Sequence, residues 1–123
     1  MEVVKVYNTN LGKNIFEIKG LNLQVWFEDF NGPYKYFEGE RKCESIGEGW
    51  RLPYNSEWKQ MYIHMYLRGI GDIEGIYWGD FAHAKGVFKN SLSAKGYSSW
   101  PVPYDLYRIF PPEFAKVRPV RSI

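Results

Sequence analysis

A chain of 123 residues with 45% hydrophobic and 19% aromatic side chains is long enough for one domain, 1–123, whose core needs no metal or disulfide staple. Sixteen Lys plus Arg against fourteen Asp plus Glu leave a net charge of +2, too small and too evenly spread to argue for nucleic acid or a membrane surface as partner. Cys43 is the only cysteine, which excludes an intrachain disulfide and a cysteine-built zinc site.

In chain order, Val3 to Tyr7 is short and β-branched and predicts a strand; it carries no basic run followed by a long apolar one, so no signal peptide is expected. Asn8 to Asn14 is turn chemistry, and Ile15 to Lys19 predicts a second strand. Leu21, Leu23, Val25 and Phe27 alternate with Asn22, Gln24 and Trp26, a period of two that predicts a third strand ending at Phe30-Asn31-Gly32-Pro33. From Tyr34 to Ile46 the period lengthens: Tyr36, Cys43 and Ile46 share one helical face, opposite Glu40-Arg41-Lys42 and Glu44. Gly39 weakens that helix by roughly 1 kcal/mol relative to Ala, and Gly47 is placed to stop it in the left-handed conformation. Cys43 on the inner face is expected to be an apolar filler rather than a reactive thiol.

A second helix follows, with Trp58, Met61, Tyr62, Met65 and Tyr66 at i, i+3, i+4, i+7 and i+8. Glu57 in its first turn and Arg68 in its last suit the helix dipole, Gly69 ends it, and His64 projects away from the stripe toward solvent. Ile76 to Phe81 and Gly86 to Lys89 predict a hairpin around Ala82-His83-Ala84-Lys85. Asn90 to Glu113 shows little periodicity but many aromatics and prolines, and so long an irregular stretch in a compact domain is often functional. Phe114 to Ile123 predicts a last strand, with Pro119 implying an edge or a bulge. The order strands, two helices, strands implies an α+β domain with helices flanking a mainly antiparallel sheet, its two strand-like termini within reach of pairing. No apolar stretch nears the ~20 residues of a membrane helix.

Four pieces in this order carry a resemblance: Cys43-Glu44-Ser45-Ile46-Gly47-Glu48-Gly49-Trp50-Arg51-Leu52-Pro53, Glu57-Trp58, Tyr77-Trp78 and Val117-Arg118-Pro119-Val120-Arg121. Together they resemble bacterial C-type-lectin-like domains of the Lcl-type and Fibrobacter-type paralogous families, distant relatives of the formylglycine-generating enzyme fold. The resemblance spans roughly residues 34 to 123. It implies a C-type-lectin-like fold, a ligand surface on the long loops before the last strand, and an extracellular or cell-surface setting. The family has Thr where this chain has Tyr54, which removes the hydroxyl half of a capping box and moves the expected cap to Asn55 or Ser56.

The resemblance does not carry the enzyme's chemistry. That mechanism needs a pair of cysteines to hold copper, and this chain has one. The family's Glu-Pro-Asn or Gln-Pro-Asp calcium triplet is absent, and Trp78-Gly79-Asp80 is a faint echo of its Trp-Asn-Asp partner. Asp72, Glu74 and Asp80 offer carboxylates, but acidic residues in turns are most often simply solvated, so no metal and no cofactor are expected. Neither His64 nor His83 has a neighbouring nucleophile or carboxylate at a fixed spacing, so no catalytic residues are assigned. Arg51, with five donors, is expected to bind backbone carbonyls in its turn, with Arg118 and Arg121 doing similar work at the last strand.

The candidate binding surface is the aromatic stretch 90–113. Tyr97, Trp100, Tyr104 and Tyr107 are the side chains expected to stack on a glycan or fill a protein partner's pocket, set against the alternative that each folds inward to stabilise its own loop. Three readings follow: a non-catalytic module binding a glycan or a protein, a structural subunit that uses the same surface to assemble into an oligomer or particle, and an enzyme with an unrecognised site.

Overall fold

The N-terminal β-branched run becomes a meander. The computed structural model describes residues 1–80, 84–87 and 113–123. Strand β1 (Val3–Asn8) pairs antiparallel with β2 (Lys13–Ile18), β2 with β3 (Leu23–Val25), and β3 with the terminal strand β8 (Val120–Ser122). A second sheet has the order β4-β7-β5-β6, built from β4 (Phe30–Tyr34), β5 (Gly75–Trp78), β6 (Ala84–Val87) and β7 (Ala115–Val117). All its pairings are antiparallel except β5 with β7. Helices α1 (Tyr36–Glu44) and α2 (Asn55–His64) complete an α+β domain with two mainly antiparallel sheets. Among the described residues no helix is long and apolar enough to cross a membrane.

The period of α2 decides the packing. Trp58, Met61, Tyr62 and Met65 are buried on one stripe, against Ile18, Leu23, Val25 and Val120 of the first sheet and Tyr77 and Val87 of the second. Burial of each such side chain stabilises by roughly 1.5–3 kcal/mol before entropy is counted. The alternation of β5 then splits the second sheet's faces. Tyr77 meets Trp58 at a ring-centroid distance of 4.9 Å, while Trp78 turns to the opposite face and packs with Tyr36 and Cys43 of α1 and Val117 of β7. Gly39 explains itself there: a Cβ at that position would lie 3.0 Å from Val117 Cγ2 and 3.3 Å from Trp78 Cδ1, so the helix gives up propensity to approach the sheet.

Several expectations are corrected. The third strand covers only Leu23–Val25, because Asn22 sits at φ 51 and the Trp26 amide donates to the Pro119 carbonyl instead of continuing the ladder. Its alternation does not separate core from solvent either: Gln24 and Trp26 are buried as well, since Trp26 packs with Ile15 and Trp50 on the far face. The expected stop at 30–33 is the edge strand β4, where Pro33, following a cis peptide, takes one of the few sheet positions that tolerate proline. The last strand is two strands in two sheets, broken at Arg118-Pro119. The termini share a sheet at opposite edges and do not pair. Helix α1 ends at Glu44, and Gly47, at φ 156, is not its left-handed stop. Gly69 does close the short 3-10 turn Tyr66–Arg68 after α2, at φ 70 and ψ 28.

Candidate functional site

The stretch Gly47 to Trp58 forms a corner held by one arginine. The Arg51 guanidinium makes two parallel bonds to Glu57, 2.7 and 2.9 Å, and a third to Ser122 Oγ at 2.8 Å. Its expected carbonyl ligands reduce to a 3.4 Å contact with Leu52 O, so a carboxylate, not the turn backbone, is the main partner. The bond to Glu57 holds the Arg51 guanidinium above its usual pKa. Glu57 also accepts the Tyr54 amide at 2.8 Å, so Tyr54 occupies the cap position and the carboxylate half of the capping box is kept, in place of the later cap at Asn55 or Ser56. Residue 51 also bridges Val120 through paired backbone bonds of 2.9 Å. The corner therefore ties the start of α2 to the last strand.

The second sheet carries the more informative arrangement. Val87 closes β6 opposite Gly75, and Ala115 opens β7 beside the same end of β5. Both roots of residues 88–112 thus flank the start of one strand, about 10 Å apart with β5 between them. Beside these roots lies an open trough of about 430 Å³, bounded by Pro33, Ile76, Phe114 and Lys116. Phe114 is 43% exposed there.

Under the roots sits a polar cluster. Asp29 accepts from Arg118 Nη1 at 2.9 Å and lies 3.5 Å from Lys116 Nζ, with the Tyr77 hydroxyl 2.8 Å from its other oxygen. Lys116 also donates to Glu74 O at 2.9 Å, and the Tyr77 hydroxyl accepts the Glu74 amide at 2.7 Å. Arg118 is fully buried; its Nε donates to Trp26 O at 2.7 Å. Burial lowers the Arg118 pKa against the pull of Asp29, and burial followed by the Asp29 charge pushes the Tyr77 phenol well up. A phenol held neutral and a buried cation locked to a carboxylate make a rigid foundation and offer no group poised to exchange a proton near neutral pH.

The four expected ligand residues, Tyr97, Trp100, Tyr104 and Tyr107, lie outside the described residues, as does His83. Asp72, Glu74 and Asp80 are not drawn together: among the described residues no group of three or more His, Cys, Asp or Glu is arranged to hold a metal ion. Cys43 is buried and its thiol is pushed up to about 12, first by burial and then by Glu40 and Glu44, which makes it inert as a nucleophile. His64 is half-buried rather than free in solvent, with Nε2 3.1 Å from Gln60 Oε1. Arg121, expected to bind like Arg51, instead donates to Gln24 Oε1 at 2.7 Å and lies over the Trp50 ring. Sequence reasoning missed Asp29; its only local signal was an acid just after an apolar run. The sequence matches no family model and no curated protein, and the fold matches no solved structure.

Proposed function

We propose that the chain is a non-catalytic binding module of C-type-lectin-like fold that presents the stretch 90–113 to a glycan or a protein, with Tyr97, Trp100, Tyr104 and Tyr107 as the contacting side chains. The observation that carries this reading is the rooting of residues 88–112. Val87 and Ala115, which flank that stretch, both lie beside one strand, with the buried Arg118–Asp29 pair just beyond β7 and an open trough next to them, and long connections carried by a rigid scaffold often hold binding residues. The order of the elements lends further support. The pieces that carry the family resemblance fall on a helix, an Arg-Leu-Pro corner, a helix with Glu57 in its first turn, strand β5 and the β7-to-β8 crossing.

The test is a broad glycan array run with and without calcium on the wild type and on Trp100→Ala and Tyr104→Ala. The module reading expects retention that either substitution abolishes while the thermal midpoint stays put. Oligomers that grow with concentration in light scattering and dissolve on the same substitutions move the function to assembly. Retention unaffected by both substitutions removes the aromatic stretch from the site, and calcium-dependent retention restores a metal to it.

A further inference from the structure

The face of the first sheet that packs on α2 extends beyond the helix. Ile18, Leu23, Val25 and Val120 lie under α2, but in the next register positions Lys5 stands opposite Phe16 and Tyr7 opposite Asn14. The segment after α2 overhangs this uncovered end. Between them is a half-open cavity of about 580 Å³, with Phe16, Phe27 and Ile70 as its apolar walls and Lys5, Asn14 and Asp72 on its rim. That volume is in the range of small-molecule sites.

We propose that this cavity binds a small zwitterion with an apolar side chain, namely a free α-amino acid. Three observations converge on that class. First, the rim carries one cation and one anion that do not neutralise each other: neither Lys5 nor Asp72 forms an ion pair with any described residue. Two opposite charges on one cavity, held apart, suit a ligand that is itself a dipole. Second, the overhang presents backbone donors. The amides of Gly71 (φ 88) and Asp72 (φ 51) bond to no other described residue. Directly behind them, Arg118 Nη2 is buried without a hydrogen-bond partner among the described residues and lies 3.2 Å from where a Gly71 Cβ would be. Asp29 pairs with the Arg118 charge, so Lys5 is the cation on the cavity's rim. Third, two of the three apolar walls are phenyl rings, one of them with Lys5 Nζ 5.8 Å from the Phe16 centroid. The ligand's carboxylate then meets Lys5, the Asn14 amide and the Gly71 and Asp72 N–H groups. Its ammonium meets the Asp72 carboxylate, and its side chain lies on Phe16 and Phe27.

Titration with L-phenylalanine, followed by two-dimensional amide NMR and calorimetry, tests this. Two half-ligands, 3-phenylpropionate and 2-phenylethylamine, and D-glucose as a neutral polyol serve as controls. The expected result is saturable binding of L-phenylalanine at about 1 mM or tighter, with shifts at Gly71 and Asp72, and each half-ligand weaker by about tenfold. Lys5→Gln and Asp72→Asn should each weaken L-phenylalanine by about tenfold, and both residues are exposed, so neither change threatens the fold; Asn also tolerates the left-handed backbone. Absence of saturation by ~10 mM, half-ligands as good as the whole, indifference to both substitutions, or tighter binding of glucose would each overturn the assignment. None of these outcomes depends on Trp100 or Tyr104, so this site and the aromatic stretch stand or fall separately.

Discussion

Among the described residues two arginine–carboxylate pairs fasten the fold, and they differ in where they sit. Arg51–Glu57 joins residues six apart at a corner, with side chains 26% and 17% exposed. Arg118–Asp29 joins residues 89 apart beneath the second sheet, and its guanidinium side chain is 0% exposed. The first is a bidentate fork near water and gains little beyond its geometry. The second has lost its hydration and depends on Asp29, Trp26 O and the neighbouring Lys116 and Tyr77 to replace it. The same chemistry therefore makes an adjustable clasp in one place and an obligatory one in the other.

The largest expected effect comes from Asp29→Ala. It strands a buried guanidinium and should destabilise the protein by about 3–5 kcal/mol in urea unfolding. Arg118→Met sharpens the comparison. It removes the buried charge while Asp29 keeps Lys116 and Tyr77, and should cost well under half as much. Equal losses from the two variants would show that the pair's net attraction, rather than the stranded charge, dominates. At the corner, Glu57→Ala removes the fork and the Tyr54 cap together and should cost about 1–2 kcal/mol. Raising NaCl to ~1 M shortens the screening length to about 3 Å, so the cost of Glu57→Ala should shrink with salt while that of Asp29→Ala hardly moves. A salt response of the same size at both sites would break the distinction.

These two clasps also show what a sequence reveals. The Arg51 corner is legible because most of what it needs is local: a glycine-loosened turn, a proline, an acid in the first helical turn and an apolar stripe of period 3.6; its bonds to Ser122 and Val120 are not. Its exact partner is not legible, because five donors fit carbonyls and carboxylates alike. The Arg118 clasp is invisible from the chain, since nothing in residues 26–30 signals a partner across the whole domain. The same blindness explains the β3 error. A period of two assigns alternate residues to solvent only if one face is wet, and Trp50 and Arg121, distant in sequence, cover the other face. Pro119 implies only an edge or a bulge, because a proline excludes the ladder position without saying that the chain will change sheets. The aromatic stretch 90–113 offered composition without period, which names candidate side chains but fixes no geometry.

The smallest effect tests a third position that is neither clasped nor free. His64 on α2 has its Nε2 beside Gln60 Oε1, while Nδ1 is buried without a hydrogen-bond partner among the described residues. In the neutral ring Nε2–H donates to Gln60 and Nδ1 stays bare; protonation puts a hydrogen on Nδ1 with nothing to receive it. Burial, then the positive N-terminus and Arg68, accordingly lower the His64 pKa from its model-peptide value of 6.5. A folded-state pKa below the unfolded one means that the unfolded chain takes up the proton first. The contribution is therefore intact above pH 6.5 and declines as pH falls through 6.5 toward the lower folded value. Unfolding midpoints in urea should drop between pH 7 and pH 5, and His64→Gln, which cannot titrate, should flatten part of that drop. A profile as steep in the variant as in the wild type would place the proton uptake elsewhere and leave His64 no part in it.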